Sequence, residues 1–196
     1  VSLVQTGGTL VRSGVVYAVN GWLGSPTGNI IVESQGSAVL NISSNLTTTG
    51  VISGAGNIVK SGAATLSFFQ PTTAFSGTYI SLAGTTILDV NNMFGGNNPT
   101  DSFAAVDLEG SSILQINNGT VQTLRNLRGS ANSQVQFTSA GSQLILPVDT
   151  GATYSFAGLF VDPSGTGILT KTGAGALSLA PTAGSNQLGQ VQVLGG

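Results

Sequence analysis

The chain has 196 residues, of which 40% are hydrophobic and only 6% are charged, and its mean hydropathy is +0.32. Enough apolar surface is available to form a core, which excludes the disordered class. The formal net charge of −2 provides no basic surface, so nucleic acid is excluded as a partner. The chain has no histidine and no cysteine, which excludes disulfides, thiolate chemistry, histidine–zinc sites and histidine-dependent catalytic triads.

Short apolar or alternating segments follow one another along the chain, separated by Gly, Asn, Ser and Pro. Several alternate with a period of two, which is typical of strands with one buried face. In chain order, the predicted strands are residues 30–32, 38–42, 65–68, 79–82, 113–116, 135–137, 144–146, 177–179 and 191–193. The nearest helix candidate, residues 103–108, is short and is followed closely by Gly110, so we predict no helix.

One segment of the sequence occurs twice. Residues 53–68 read SGAGNIVKSGAATLSF and residues 164–179 read SGTGILTKTGAGALSL, and the two copies align without a gap. Such repetition is typical of folds in which neighbouring units bury each other's apolar faces by stacking. We therefore expect Leu66 and Leu177 to occupy equivalent inward positions in different coils.

The junctions between strands distinguish two all-β folds. Most are Ser-Gly, Thr-Gly or Gly-x-Gly corners, in which glycine lets the chain turn and continue in the same sense. The Asn-Gly step that favours tight antiparallel hairpins is clear only at Asn20 and Asn118. We predict a parallel β-helix (β-solenoid), formed by residues 1–196 as a single segment, with an antiparallel β-sandwich as the alternative.

Period-two alternation also predicts which side chains fill the axis of the helix. The expected axis residues are Leu66, Phe68, Ile80, Leu82, Leu177, Leu179, Val191 and Val193. The same alternation directs Lys60 and Lys171 inward, where an unpaired ammonium group is unfavourable. We therefore expect the strand to break or bulge at each lysine, and the following Gly62 and Gly173 to form corners that turn the lysine towards solvent.

The sequence GILTKTGAGALSL at residues 167–179, followed by VQVLGG at 191–196, resembles the autotransporter-associated β-strand repeat. The first copy shares the glycines, the lysine and the alternating apolar residues of this repeat, and continues into a turn that contains Tyr79. The resemblance covers the segments at about 50–90 and 158–196. The second copy departs from the family pattern, because Gln187, Leu188 and Gly189 stand where the family turn has its tyrosine.

This resemblance implies a right-handed β-helix that belongs to the passenger of a Gram-negative type V autotransporter. Such a passenger is secreted or displayed on the extracellular side of the outer membrane. Its partners in the full-length chain would be neighbouring passenger modules and an outer-membrane translocator barrel. The implied function is a non-enzymatic scaffold, the stem that supports passenger folding and display, with adhesion or virulence carried by other parts.

A second hypothesis is an adhesin that contacts a glycan or a host surface protein through exposed loops. Its candidates are Trp22, the only tryptophan, and the turn-rich segment 91–100, which contains Met93 and Phe94. A packing interpretation competes with this one, in which Trp22 plugs one end of the stack and the two apolar residues pack under their own loop.

A third hypothesis is an enzyme that acts on polysaccharides. Asp107 and Glu109 are spaced by two, so on a strand they would share one face, where two carboxylates could serve glycoside hydrolysis or calcium-assisted lyase chemistry. Because solvated carboxylate pairs are common on strands, we favour the scaffold. We assign no catalytic residue, no cofactor and no metal ligand.

Overall fold

A computed structural model describes residues 8–18, 21, 25–70, 75–94, 103–181 and 184–195. Within these ranges the chain forms strands and turns and contains no helix, as predicted; the helix candidate 103–108 is mostly strand. In chain order the strands are β1 (Thr9–Ala18), β2 (Ile30–Asn41), β3 (Leu46–Thr48), β4 (Ile52–Ser53), β5 (Asn57–Ser61), β6 (Leu66–Phe68), β7 (Thr78–Ser81), β8 (Thr85–Leu88), β9 (Ala105–Leu108), β10 (Ile113–Ile116), β11 (Val121–Thr123), β12 (Asn126–Gly129), β13 (Gln134–Phe137), β14 (Gln143–Pro147), β15 (Thr153–Phe156), β16 (Leu159–Val161), β17 (Ile168–Thr172), β18 (Ala176–Leu179) and β19 (Gln190–Leu194).

These strands stack as a β-solenoid of about eight turns, because each pairs in parallel with the strand of the next turn. One sheet contains β1, β2, β5, β7, β9 and β12 in this order, with β4 beside β2. A second contains β3, β6, β8, β10, β13 and β16, and a third contains β11, β14, β17 and β19. A two-stranded sheet, β15 with β18, lies beyond β12 of the first one, because the Ala157 amide, just after β15, donates to the Gly129 carbonyl oxygen at the end of β12. The parallel β-helix is confirmed and the antiparallel sandwich is wrong.

The length of a turn varies along the stack. The turn that brings Ser37 to its partner Asn57 is shorter than the turn that brings Thr78 to its partner Ala105. The longer turn includes the turn-rich segment 91–100, which precedes Ala105 in the sequence. Hydrophobic residues therefore align in space without a fixed period in the sequence.

The axis of the solenoid is filled by alternate side chains from each strand. Leu66 and Phe68 are fully buried, as predicted, whereas Leu177 and Leu179 are only partly buried. Val191 and Val193 share the inward register of Leu169 and Lys171, but they are 54% and 65% exposed. Their prediction as core residues is wrong, because β19 is the last strand of its sheet and no described strand covers it.

The predicted inward orientation of Ile80 and Leu82 is also wrong. Tyr79 and Ser81 are the buried residues of β7, while Ile80 is half-buried and Leu82 is exposed. The register explains the difference, because Tyr79 pairs with the inward Ile58 of the preceding turn. The Tyr79 hydroxyl finds a partner inside the core, the hydroxyl of Thr86 at 2.7 Å, and burial raises the pKa of Tyr79.

The two copies of the repeat lie in different sheets. The first copy places Lys60 in β5 and Leu66 in β6, in the first and second sheets. The second copy places Lys171 in β17, in the third sheet, and Leu177 in β18, in the two-stranded sheet. Both leucines face inward, but they are not equivalent around the axis. Turns of unequal length between the copies account for this rotation.

Both lysines of the repeat are buried, contrary to the expectation that a corner turns them towards solvent. Lys60 is 0% exposed and Lys171 is 7% exposed. Residues 57–61 pair with 37–41 without a register shift, so the strand does not bulge at Lys60. The lysine side chains keep the inward orientation that the alternation of the strand gives them, because each ammonium group donates hydrogen bonds to backbone carbonyl oxygens.

The two lysines make the same contacts in their two copies. Lys60 Nζ donates to the carbonyl oxygens of Gly62, at 3.1 Å, and Ala83, at 2.5 Å. Lys171 Nζ donates to those of Gly173 and Gly195. In each copy one acceptor belongs to the glycine that closely follows the lysine, and the other lies at the same corner of the next turn. Each lysine therefore joins two successive coils from inside.

The following glycine is required at each of these corners. Gly62 and Gly173 have φ angles of 84° and 74°, a region that other residues rarely adopt. A Cβ atom on Gly62 would also overlap the carbonyl oxygen of Ile42 in the preceding turn. The predicted glycine corner is therefore present, and it presents its carbonyl group to the lysine.

Burial lowers the pKa of the Lys60 ammonium group to about 8 from its ordinary value of 10.5. Between these values the unfolded chain binds a proton that the folded chain has lost, so the free energy of unfolding rises with pH from about 8 to 10.5. We expect the native chain to gain stability relative to Lys60→Met across this window, as measured by urea unfolding at a series of pH values. A difference between the two proteins that does not change with pH contradicts this prediction.

Candidate functional site

Asp107 and Glu109 lie at the end of β9, on the outer surface of the solenoid. Val106 and Leu108 alternate with them and are buried, so the two carboxylates share one face, as their spacing predicts. Asp107 is half-buried and Glu109 is exposed. Both line one groove with a volume of about 520 Å³.

The other walls of this groove come from the two strands that follow β9 along the stack. Strand β12 contributes Asn126 and Arg128, and β15 contributes Tyr154. The complete lining is Asp107, Glu109, Asn126, Arg128, Gly129, Ser130, Thr153, Tyr154, Ser155 and Ala157. Most of these residues carry hydrogen-bonding side chains, and Thr153 and Ser155 are the outward residues of β15, whereas Tyr154 lies in the inward register of Leu177.

The groove exists because the ladder is interrupted between β12 and β15, which belong to different sheets. The strands approach each other at their ends, where the Ala157 amide donates to the Gly129 carbonyl oxygen at 3.3 Å. At their beginnings, Asn126 and Thr153 instead form opposite walls of the groove. The outer surface of the first sheet is therefore split at this point.

Polar groups in the groove are arranged around Asp107. Arg128 is its register partner on β12, so a guanidinium group and a carboxylate emerge side by side. The Oδ1 atom of Asn126 is buried and accepts no hydrogen bond from any described residue. This acceptor lies below the surface of the groove, so the charged groups available to a ligand beside it are the Asp107 carboxylate and the Arg128 guanidinium group.

A smaller depression of about 190 Å³ adjoins the groove on the side of β7. It shares Asp107, Asn126 and Arg128 with the groove and adds Thr78, Ala105 and Val106. The combined depression draws on residues of β7, β9, β12 and β15, which belong to four successive turns. It therefore runs along the solenoid axis, across the strands.

Asp162 is a carboxylate with a structural role. It accepts hydrogen bonds from Ser164 Oγ at 2.7 Å and from the amides of Gly165, Gly167 and Gly189 at 3.1, 2.7 and 3.0 Å. Burial alone would raise the pKa of Asp162, but these hydrogen bonds together lower it below its ordinary value. Because Gly189 lies in the next turn, this carboxylate joins two coils as the lysines do.

Metal binding finds no support in the described part of the chain, which contains no group of three or more His, Cys, Asp or Glu residues able to hold an ion. The same residues contain no helix long and apolar enough to cross a membrane.

The two loop candidates for an adhesin site are only partly described. Trp22 and residues 95–100 lie outside the described residues. Met93 and Phe94 are fully buried, as the packing interpretation predicts, and the Phe94 ring stacks on Tyr79 with centroids 4.7 Å apart. Gln122 holds this segment, because its side-chain oxygen accepts a hydrogen bond from the Met93 amide at 2.8 Å.

Sequence reasoning singled out Asp107 and Glu109 but missed Arg128 and Tyr154. Arg128 pairs with Asp107 from the next turn of the solenoid. The sequence would have predicted this pair only if the number of residues per turn had been known. Tyr154 stands across the interruption of the ladder, and no sequence signal marks that interruption.

Comparisons with protein-family models, with curated proteins and with solved structures find no match to this chain.

Proposed function

We propose that this chain is a non-enzymatic, extracellular β-helical shaft, the stem of an autotransporter passenger that supports folding and display of neighbouring modules. The observation that carries the proposal is the hydrogen bonding of Lys60 and Lys171 at equivalent corners of the two repeat copies. Two copies of one sequence segment form the same contacts, from a buried ammonium group to carbonyl oxygens of two successive turns. A hydrogen-bonded contact that joins successive turns and recurs along the stack is expected in a protein that serves as a continuous shaft.

The chemistry of the chain suits folding after export. It has no cysteine, so no disulfide has to form or to be avoided before translocation. Its strands pair with the neighbouring turn, so an emerging chain can add one turn at a time to an existing edge. With only 6% charged residues, few like charges are stacked in columns between turns.

Surface display tests this proposal. The chain is placed between a secretion signal and a translocator barrel in a Gram-negative bacterium, and its surface exposure and protease resistance are measured. We expect the native chain to reach the surface as a protease-resistant passenger. Leu66→Asp should lose that resistance, because it places a charge in the buried axis between Leu46 and Thr86 of the adjoining turns.

Ser67→Asp is the matched control, because Ser67 is the outward neighbour of Leu66 on the same strand. It introduces the same charge and should be displayed like the native chain. Retention of the native chain inside the cell, or equal display and resistance of Leu66→Asp, would show that the stacked core does not serve passenger display.

A further inference from the structure

We propose that the groove lined by Asp107, Arg128, Thr153 and Ser155 is a binding site for a neutral oligosaccharide, which the shaft holds along its outer surface. This function is additional to that of a scaffold and uses neither Trp22 nor the segment 91–100. The site is a surface concavity of about 520 Å³, within the range of small-ligand sites.

The hydrogen-bonding groups of the groove match those of a sugar. Sugar hydroxyl groups both donate and accept hydrogen bonds. The Asp107 carboxylate accepts hydrogen bonds, and Arg128 supplies donors beside it. The hydroxyl groups of Thr153 and Ser155, on the opposite wall, can both donate to and accept from a sugar.

The shape of the depression favours an oligosaccharide over a single sugar. The groove and the adjoining depression of about 190 Å³ share three residues and together span strands of four successive turns. Three spacings between stacked strands correspond to about 14 Å along the shaft. An extended chain of sugars can therefore lie across the strands and contact residues of several turns.

The charge of the groove favours a neutral ligand. Asp107 and Glu109 contribute two carboxylates, against the single guanidinium group of Arg128. The balance is unfavourable for phosphate, sulfate or uronate groups, and this excludes anionic polysaccharides and nucleic acid as preferred ligands.

The placement of the carboxylates favours binding over hydrolysis. Hydrolases of glycosidic bonds place two carboxyl groups on either side of the scissile bond. Asp107 and Glu109 instead project side by side from one strand and approach a ligand from one side. The bound oligosaccharide therefore stays intact.

Titration with short, linear, neutral oligosaccharides tests this proposal. Gluco-, manno-, xylo- and galacto-oligosaccharides are added at up to millimolar concentration to the isotope-labelled chain, and binding is followed by calorimetry and by amide chemical shifts. We expect at least one of them to bind and to shift the amides of Gly129, Ser130 and Tyr154. Asp107→Asn and Arg128→Gln should each weaken that binding by about tenfold or more.

Asp149→Asn and Arg12→Gln are the controls, because neither residue lines the groove. Both should bind like the native chain, and circular dichroism should show each variant folded. Absence of binding by all the neutral oligosaccharides, or unchanged affinity of Asp107→Asn, would overturn the proposal.

Discussion

Replacing Phe94 with alanine is expected to lower the free energy of unfolding by about 3–5 kcal/mol, one of the two largest effects we predict. The ring is fully buried and lies at the centre of an aromatic cluster. Its centroid is 4.7 Å from that of Tyr79, 5.7 Å from that of Phe68 and 6.2 Å from that of Phe75. Truncation leaves a cavity between two turns, because Phe68 and Tyr79 are held by their own strands, β6 and β7. Urea unfolding measures the loss.

Phe69→Ala is the matched control for this change. Phe69 is a phenylalanine of the same stack, but its side chain is 44% exposed. We expect its replacement to cost no more than about 1 kcal/mol, since little apolar area returns to water. Equal losses for the two variants would show that residues 91–94 do not pack into the axis.

The second large effect is expected for Gly77→Ala, which should lower the free energy of unfolding by more than about 3 kcal/mol. A Cβ atom at this position would overlap the carbonyl oxygen of Gly56 in the preceding turn and would lie 2.9 Å from the Phe75 ring. The obstacle is backbone, which cannot move without separating the turns. The Ala105 amide donates to the Gly77 carbonyl oxygen, so the next turn is displaced as well.

Gly141→Ala separates steric overlap from backbone strain. Gly141 has a φ angle of 78°, but a Cβ atom there would meet nothing within 4 Å. Its replacement should cost about 1–2 kcal/mol, the penalty of the left-handed conformation alone. A cost at Gly141 that equals or exceeds the cost at Gly77 would contradict the close approach of the turns at Gly77.

The repeat and the glycine corners predicted the solenoid, and alternation predicted the strands, because burial of every second side chain is a local property of a strand. It was sufficient at Leu66 and Phe68. It failed at Ile80 and Leu82, because the segment 78–82 has large apolar side chains on both faces of the strand, so the sequence permits either face to be buried. Pairing with β5 decides that register, and pairing is not visible in one sequence.

The lysine corners show a different limit of sequence reasoning. The free-energy cost of a buried charge correctly indicated that the Lys60 ammonium group needs hydrogen-bond partners. It could not show which groups supply them. The acceptors are backbone carbonyl oxygens of Gly62 and Ala83, which any sequence provides. Only the position of the next turn brings the second oxygen within reach.

The candidate groove was predictable in part. Spacing by two placed Asp107 and Glu109 on one face, but their neighbours depend on the length of each turn, which varies along the stack. The number of residues in each turn decides that Arg128 and Tyr154 lie beside these carboxylates. A groove formed by an interrupted ladder has no local sequence signal.

Distances between spin labels test the central claim, that successive coils stack into one shaft. Thr47, Ser67, Ile87, Gln115, Gln136 and Val161 form one outward column of the second sheet. The chain has no cysteine, so pairs of introduced cysteines can be labelled selectively. Pairing Thr47→Cys with a cysteine at position 115, 136 or 161 should give Cα separations of about 14, 19 and 24 Å, one strand spacing of about 4.8 Å being added per turn. Separations that do not increase from Gln115 to Val161 would contradict the stacked shaft.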